Sequence, residues 1–167
     1  MSIEVGDHLP DITLHEYIAE ASKYDQVGPK AWRLPDLAHK KKVVAIGVIG
    51  AFTPICTSNH LPGYLKMEDD FKARGVDELW CISVNDPFVL HAWSESLKIN
   101  GRMRMLGDGS AELVTLMDVT LDLTSRGMGV RSDRFAMVVD NGEITHFYRE
   151  ETGCFCLTSA ENVLKKL

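Results

Sequence analysis

The amino-acid sequence predicts an α/β domain, a central mixed β-sheet flanked by helices. Three observations lead there. Val43–Ile49 is a near-continuous apolar run, the pattern of a strand buried on both faces. A helical pattern and then a second apolar strand, Leu79–Val84, follow it, an alternation typical of α/β layers. Finally, Asn141-Gly142 separates Phe135–Val139 from Ile144–Tyr148. Asn-Gly between apolar runs signals a hairpin, so the sheet also has an antiparallel part.

The elements follow in order. The stretch up to Leu34 is polar and irregular, with Pro10, Gly28 and Pro29. A short helix is expected over Pro35–Ala38, then a basic turn at Lys40–Lys42. After the first strand, Gly50–Pro54 breaks the pattern. Leu61, Tyr64, Leu65 and Phe71 then mark one helical face. Pro62-Gly63 lies inside that pattern and should kink it; Gly75 ends it. After the second strand, Asp86-Pro87 reads as an N-cap followed by Pro at the first helical position. Val89, Ala92, Trp93 and Leu97 would face the core. Met103–Leu106 reads as a short strand and Ser110–Met117 as a short helix. Thr158-Ser159-Ala160-Glu161 has the form of a capping box. It would open a final helix that turns Ala160, Val163, Leu164 and Leu167 inward. This order of elements matches a thioredoxin-like fold.

The 167 residues carry no long linker, internal repeat or low-complexity segment. They read as one domain spanning 1–167, long enough to bury a core. Net charge is −6 without a basic block, which argues against nucleic acid or an anionic membrane as a partner. No apolar run approaches the ~18 residues of a membrane span. The start, MSIEVGDHLP, lacks the basic-then-apolar order of a signal peptide. A cytoplasmic protein is the expectation. Lys165-Lys166-Leu167 only loosely matches a peroxisomal Ser-Lys-Leu ending, because the small first residue is missing.

Four cysteines are present: Cys56, Cys81, Cys154 and Cys156. A disulfide framework is not expected in a reducing compartment. With no C-x-x-C and no H-x-x-x-H pair, the spacing also fails as a zinc site. Redox or nucleophilic chemistry remains, or plain burial as inert thiols. Cys56 follows a buried strand and falls in the first turn of the next helix. The unpaired N–H groups of a first turn and the helix dipole favour negative charge, so a thiolate there is stabilised. Thr53 can place its hydroxyl near the same sulfur, or serve as an ordinary N-cap. Pro54 suits an early helical position.

Gly50-Ala51-Phe52-Thr53-Pro54-Ile55-Cys56, with His60-Leu61-Pro62-Gly63 after it, resembles the active-site segment of type II (peroxiredoxin-5-like) peroxiredoxins. Their pattern is PxxxTxxC within PGAFTPxC. Cys81–Val89, Leu121–Leu123, Gly127–Ser132 and Arg134–Val139 resemble further segments of that family, and Gly6-Asp7 and Pro10 its start. The likeness spans nearly the whole chain; Tyr17–Lys30 is the least familiar stretch. One position departs: Ile49 stands where the family has Pro, which keeps apolar bulk but restores an N–H and frees φ.

The resemblance implies a thiol peroxidase with Cys56 as the peroxidatic cysteine, needing no cofactor or metal. Hydrogen peroxide and alkyl hydroperoxides would be the substrates. Thr53 would hydrogen-bond the sulfur and the peroxide. Arg134 would stabilise the thiolate and the reacting oxygens, a task that suits its fixed fork of donors. Ile49, Phe52, Pro54 and His60 would shape or shield the pocket. The sulfenic acid formed at Cys56 would be resolved by an external thiol, by Cys81, or by Cys154 or Cys156. Glutathione with glutaredoxin, or thioredoxin, would be the reductant, and a homodimer is expected by resemblance. Two rivals stand beside this. One is a disulfide reductase using Cys154-x-Cys156, although an extended C-x-C spans ~6.6–7 Å, the edge of disulfide geometry. The other is a non-catalytic redox-sensing or chaperone-like module.

Overall fold

The structure, a computed structural model, describes residues 2–20 and 27–167. Part of the least familiar stretch, residues 21–26, therefore lies outside the described residues. A seven-stranded sheet forms the centre, in the order β2-β1-β5-β4-β3-β8-β9. Its strands are β1 (Thr13–Ile18), β2 (Gly28–Arg33), β3 (Lys42–Gly47), β4 (Glu78–Ser83), β5 (Arg104–Gly107), β8 (Phe135–Asp140) and β9 (Glu143–Arg149). Parallel pairs β3/β4 and β4/β5 lie at its centre, and the remaining pairs are antiparallel. The sheet is therefore mixed, as predicted.

The apolar run of β3 explains the layering. Val43 and Ala45 turn to one face, and Val44 and Ile46 to the other, as strand alternation requires. All four are almost fully buried. Helices α2 (Leu61–Lys66), α3 (Glu68–Ala73), α4 (Pro87–Ser96) and α6 (Ala160–Lys166) cover the face of Val44 and Ile46. Helices α1 (Leu34–Leu37) and α5 (Glu112–Leu116) cover the other. At the hairpin tip, Asn141 and Gly142 both have positive φ, 48° and 86°. That is the mirror-image turn which follows the twist of the flanking strands.

Three expectations need correction, and one element is new. The opening stretch is not irregular: it holds the β1/β2 hairpin. Helix α4 buries Leu90 and Trp93, while Val89 and Ala92 face solvent. The segment before Phe135 adds a small ribbon, β6 (Thr120–Leu123) with β7 (Gly129–Ser132). Finally, Thr158 is not the cap of α6. Its hydroxyl donates to Glu150 Oε2 at 2.9 Å, so the cap passes to Ser159, which accepts from the Asn162 N–H at 3.2 Å.

Candidate active site

The site is built where β3 leaves the sheet. The Val48 N–H still donates to the Ile82 carbonyl at 3.1 Å, so the chain departs only at Ile49. Side-chain and steric contacts hold the following loop. The Ala51 N–H donates to Asn85 Oδ1 at 3.0 Å, and the Ser83 hydroxyl donates to the same oxygen at 2.6 Å. Thr53 Oγ1 donates to the Gly50 carbonyl at 2.7 Å. A Cβ on Gly50 would stand 2.6 Å from Arg131 Nη1, so a side chain there would displace the tip of that arginine. Phe52 takes a left-handed φ of 64°, a conformation that costs a non-glycine residue of order 1–3 kcal/mol.

The helix then starts at Pro54, and the Thr57 N–H returns to the Thr53 carbonyl at 3.0 Å. Cys56 is the third residue of this first turn. From Cys56 to His60 the helix widens to a π turn, closed by the Leu61 N–H on the Cys56 carbonyl. Pro62 supplies the reason. It has no N–H to give, and its ring crowds the carbonyl four residues back; a widened turn relieves both. The expected kink thus takes the form of a π turn before Pro62, with a further break at Met67.

Cys56 is fully buried, and Arg134 is 8% exposed. Arg134 Nη1 donates to Cys56 Sγ at 3.2 Å and lies 3.3 Å from His60 Nδ1. Guanidinium has no acceptor lone pair, so Nδ1 accepts and the His60 proton resides on Nε2. Burial, and secondarily the Arg134 charge, push the His60 pKa down to about 3; the Thr158 backbone acts in the opposite sense without reversing this. His60 is therefore neutral and leaves the positive charge of Arg134 directed at the sulfur.

Phe155 covers the assembly. Its ring centroid is 5.6 Å from the Arg134 guanidinium carbon and 5.1 Å from the His60 ring. Glu150 holds the segment that carries it. The Glu150 N–H donates to the Arg134 carbonyl at 2.9 Å. Its carboxylate accepts from the Cys156 N–H at 2.6 Å, the Thr158 N–H at 3.0 Å and the Thr158 hydroxyl. Burial raises the Glu150 pKa, but these hydrogen bonds outweigh it and hold the carboxyl below its usual range.

Cys56, Arg134 and His60 thus meet, and Ile49 packs half-buried against the same apolar cluster. Thr53 caps the turn beneath them, although its proton goes to Gly50 rather than to the sulfur. Phe52 and Pro54 are exposed rim residues, not a buried shield. Cys81 shares the apolar cluster with Cys56. Burial first, and the negative charge of Cys56 second, raise its pKa well above the usual thiol value. Cys154 and Cys156 are exposed on either side of Phe155. Sequence reasoning missed Asn85, Arg131, Glu150 and Phe155. Asn85 and Arg131 lie within the family-like segments, but only the fold shows what they hold. Among the described residues no three His, Cys, Asp or Glu side chains are placed to hold a metal ion. A cleft of about 450 Å³, lined by Tyr17, His91 and Met105 among others, includes none of these site residues.

The redoxin family pattern matches residues 4–164. Peroxiredoxin-2D of Arabidopsis thaliana is 40% identical over 99% of this chain and 98% of its own. The chain belongs to the redoxin family as a type II peroxiredoxin. Peroxiredoxin-2C of Oryza sativa subsp. japonica is 42% identical at the same coverage. Reduced Prx3 from Vibrio vulnificus, solved in complex with H2O2, superposes with a TM-score of 0.90 at 37% identity, over 98% of both chains. A Burkholderia cenocepacia structure described as a thioredoxin reductase superposes at 0.97, with 44% identity over 100% of this chain and 99% of that one. The name of that neighbour does not transfer to this peroxiredoxin, which has no C-x-x-C pair. This peroxiredoxin is a thiol-dependent peroxidase of thioredoxin-like fold, consuming peroxide at the expense of a thiol.

Proposed function

We propose that Cys56 is the peroxidatic residue and that Arg134 and Thr53 assist it. The observation that carries this is the Arg134 Nη1 to Cys56 Sγ contact of 3.2 Å inside a buried site. A fixed cation there is placed to stabilise negative charge on the reacting atoms. The Cys56 thiolate attacks one peroxide oxygen, the O–O bond breaks, and the other oxygen leaves as water or alcohol after taking a proton. Cys56 becomes sulfenic acid. Arg134 stabilises the charge that passes onto the leaving oxygen. Because the Thr53 proton is engaged by Gly50, its hydroxyl oxygen remains an acceptor for the O–H of the peroxide.

Cys156 is the proposed resolving thiol. It is exposed, whereas Cys81 is buried and held protonated, and the thiolate is the reactive form. Thioredoxin, or glutathione with glutaredoxin, then returns the protein to the thiol state. A homodimer would cover the exposed apolar side chains of Phe52 and Ile55 beside the site. Peroxide consumption with a thiol donor tests the central assignment. It is expected to vanish in Cys56→Ser, and consumption at the parent rate would overturn it. Supplying each reductant separately identifies the electron donor. Light scattering of the parent against Phe52→Asp tests the dimer.

A further inference from the structure

Cys154 and Cys156 flank Phe155, and the burial pattern orders the three. Phe155 is half-buried against Arg134 and His60, while both cysteines are exposed. Their order along the chain is exposed, half-buried, exposed, between a turn closed by the Cys154 N–H on the Glu151 carbonyl at 2.9 Å and a bend at Cys156. Both thiols are thus open to solvent on a segment whose half-buried ring touches Arg134 and His60. Residues 154 and 155 carry no strand pairing. No ladder hydrogen bond therefore has to break there for the two Cα atoms to take the ~4.4–6.8 Å separation of a disulfide, and the Cys156 N–H bond to Glu150 anchors one end of the pair.

We propose that Cys154 and Cys156 form an internal dithiol relay, which takes the oxidation from Cys56 and presents it at the surface as a Cys154–Cys156 disulfide. This rests on Cys56 as the peroxidatic residue and Cys156 as its resolving partner. In the first step the Cys156 thiolate attacks the sulfur of the Cys56 sulfenic acid. The S–O bond breaks, an S–S bond forms, and the oxygen leaves as water. In the second step the Cys154 thiolate attacks Cys156 of that disulfide. The Cys154–Cys156 bond forms and Cys56 leaves as its thiolate. Both steps balance without any further oxidant.

The second step has a driving force in the fold. Cys56 is fully buried, so a disulfide to an exposed loop holds the first helical turn out of its pocket. Transfer to Cys154 lets Cys56 return to Arg134 and restores that packing. The small ring of a C-x-C disulfide is strained and exposed, and such bonds are readily reduced by external thiols. The relay thus separates the step that must be buried from the step that must meet a reductant.

Trypsin separates the three cysteine regions, with Cys56 in peptide 43–66, Cys81 in 75–98 and the pair in 150–165. One equivalent of hydrogen peroxide is added to the reduced full-length protein, followed by alkylation and non-reducing mass spectrometry. The expected parent product is an internal disulfide in 150–165, with Cys56 alkylated as a free thiol. Cys154→Ser should instead accumulate a cross-link between 43–66 and 150–165. In Cys56→Ser the internal disulfide should be lost. A parent product that keeps Cys56 cross-linked, to either cysteine region, or that leaves it as sulfenic acid beside free loop thiols, overturns the relay. So does an undiminished internal disulfide in Cys56→Ser. If Cys56→Ser still consumes peroxide with a thiol donor at the parent rate, the peroxidatic assignment fails instead, and the two failures are told apart.

Discussion

Arg134 reaches the sulfur from within the core, so its charge acts with little solvent screening. Removing one such preorganised donor typically lowers turnover by about 10²–10³-fold. Arg134→Gln should therefore lower kcat/KM for peroxide by about that factor, as measured by stopped-flow peroxide consumption; a change below about threefold would remove Arg134 from the chemistry. His60 gives a second test, in stability. Its folded pKa of about 3 lies below the ordinary histidine value. Between about pH 6.5 and pH 3 the unfolded chain takes up a proton that the folded one refuses, so stability falls as pH falls, by up to about 1.4 kcal/mol per pH unit. Urea unfolding at several pH values should show a shallower slope in His60→Asn. That Cys56 and Arg134 meet was legible in the sequence because family-like motifs surround both; the Thr53 hydroxyl, expected at the sulfur, turns to Gly50 instead. The Arg134–His60 contact was not legible, because 74 residues separate the pair and it takes the β3/β8 pairing to bring their segments together.

Element by element, legibility followed hydrophobic pattern. Strand β3 and the Asn141-Gly142 hairpin were plain because pattern and turn chemistry agree. Strand β1 was hidden because Glu16 occupies an inward position between Leu14 and Ile18. Arg104 Nη1 donates to Glu16 at 2.8 Å, as does the Trp32 indole N–H at 3.0 Å, partners that no local window contains. Strand β2 carries Pro29 and lies at the sheet edge, where Pro is tolerated. The cap of α6 shifted by one residue because Glu150 claims Thr158. That same carboxylate orders the cysteine-bearing loop, so Glu150→Gln should destabilise the protein by about 1–3 kcal/mol at neutral pH. The Glu150 pKa is depressed in the folded state. Its contribution is therefore present above the unfolded carboxylate pKa and lost as pH falls through the folded one. Chemical denaturation should find parent and variant far apart at pH 7 and converging in acid.

At the scale of the whole molecule, one sheet separates two apolar layers, and Cys81 belongs to the layer that packs beneath the site. As core rather than machinery, Cys81→Ala should cost about 1 kcal/mol and leave steady-state peroxide turnover intact; loss of turnover in a folded variant would make Cys81 the resolving thiol. The three tryptophans divide unequally between these layers. Trp32 and Trp80 pack on the face away from Cys56. Trp93 lies on the other, where its indole N–H donates to Thr57 Oγ1 at 3.2 Å, one residue beyond the reactive sulfur. Unwinding of the π turn at Thr57 would break this bond, whereas Trp32 and Trp80 lie on the opposite face of the sheet. A change in Trp93 emission on adding peroxide, absent in Thr57→Val, would report such an unwinding from inside the protein.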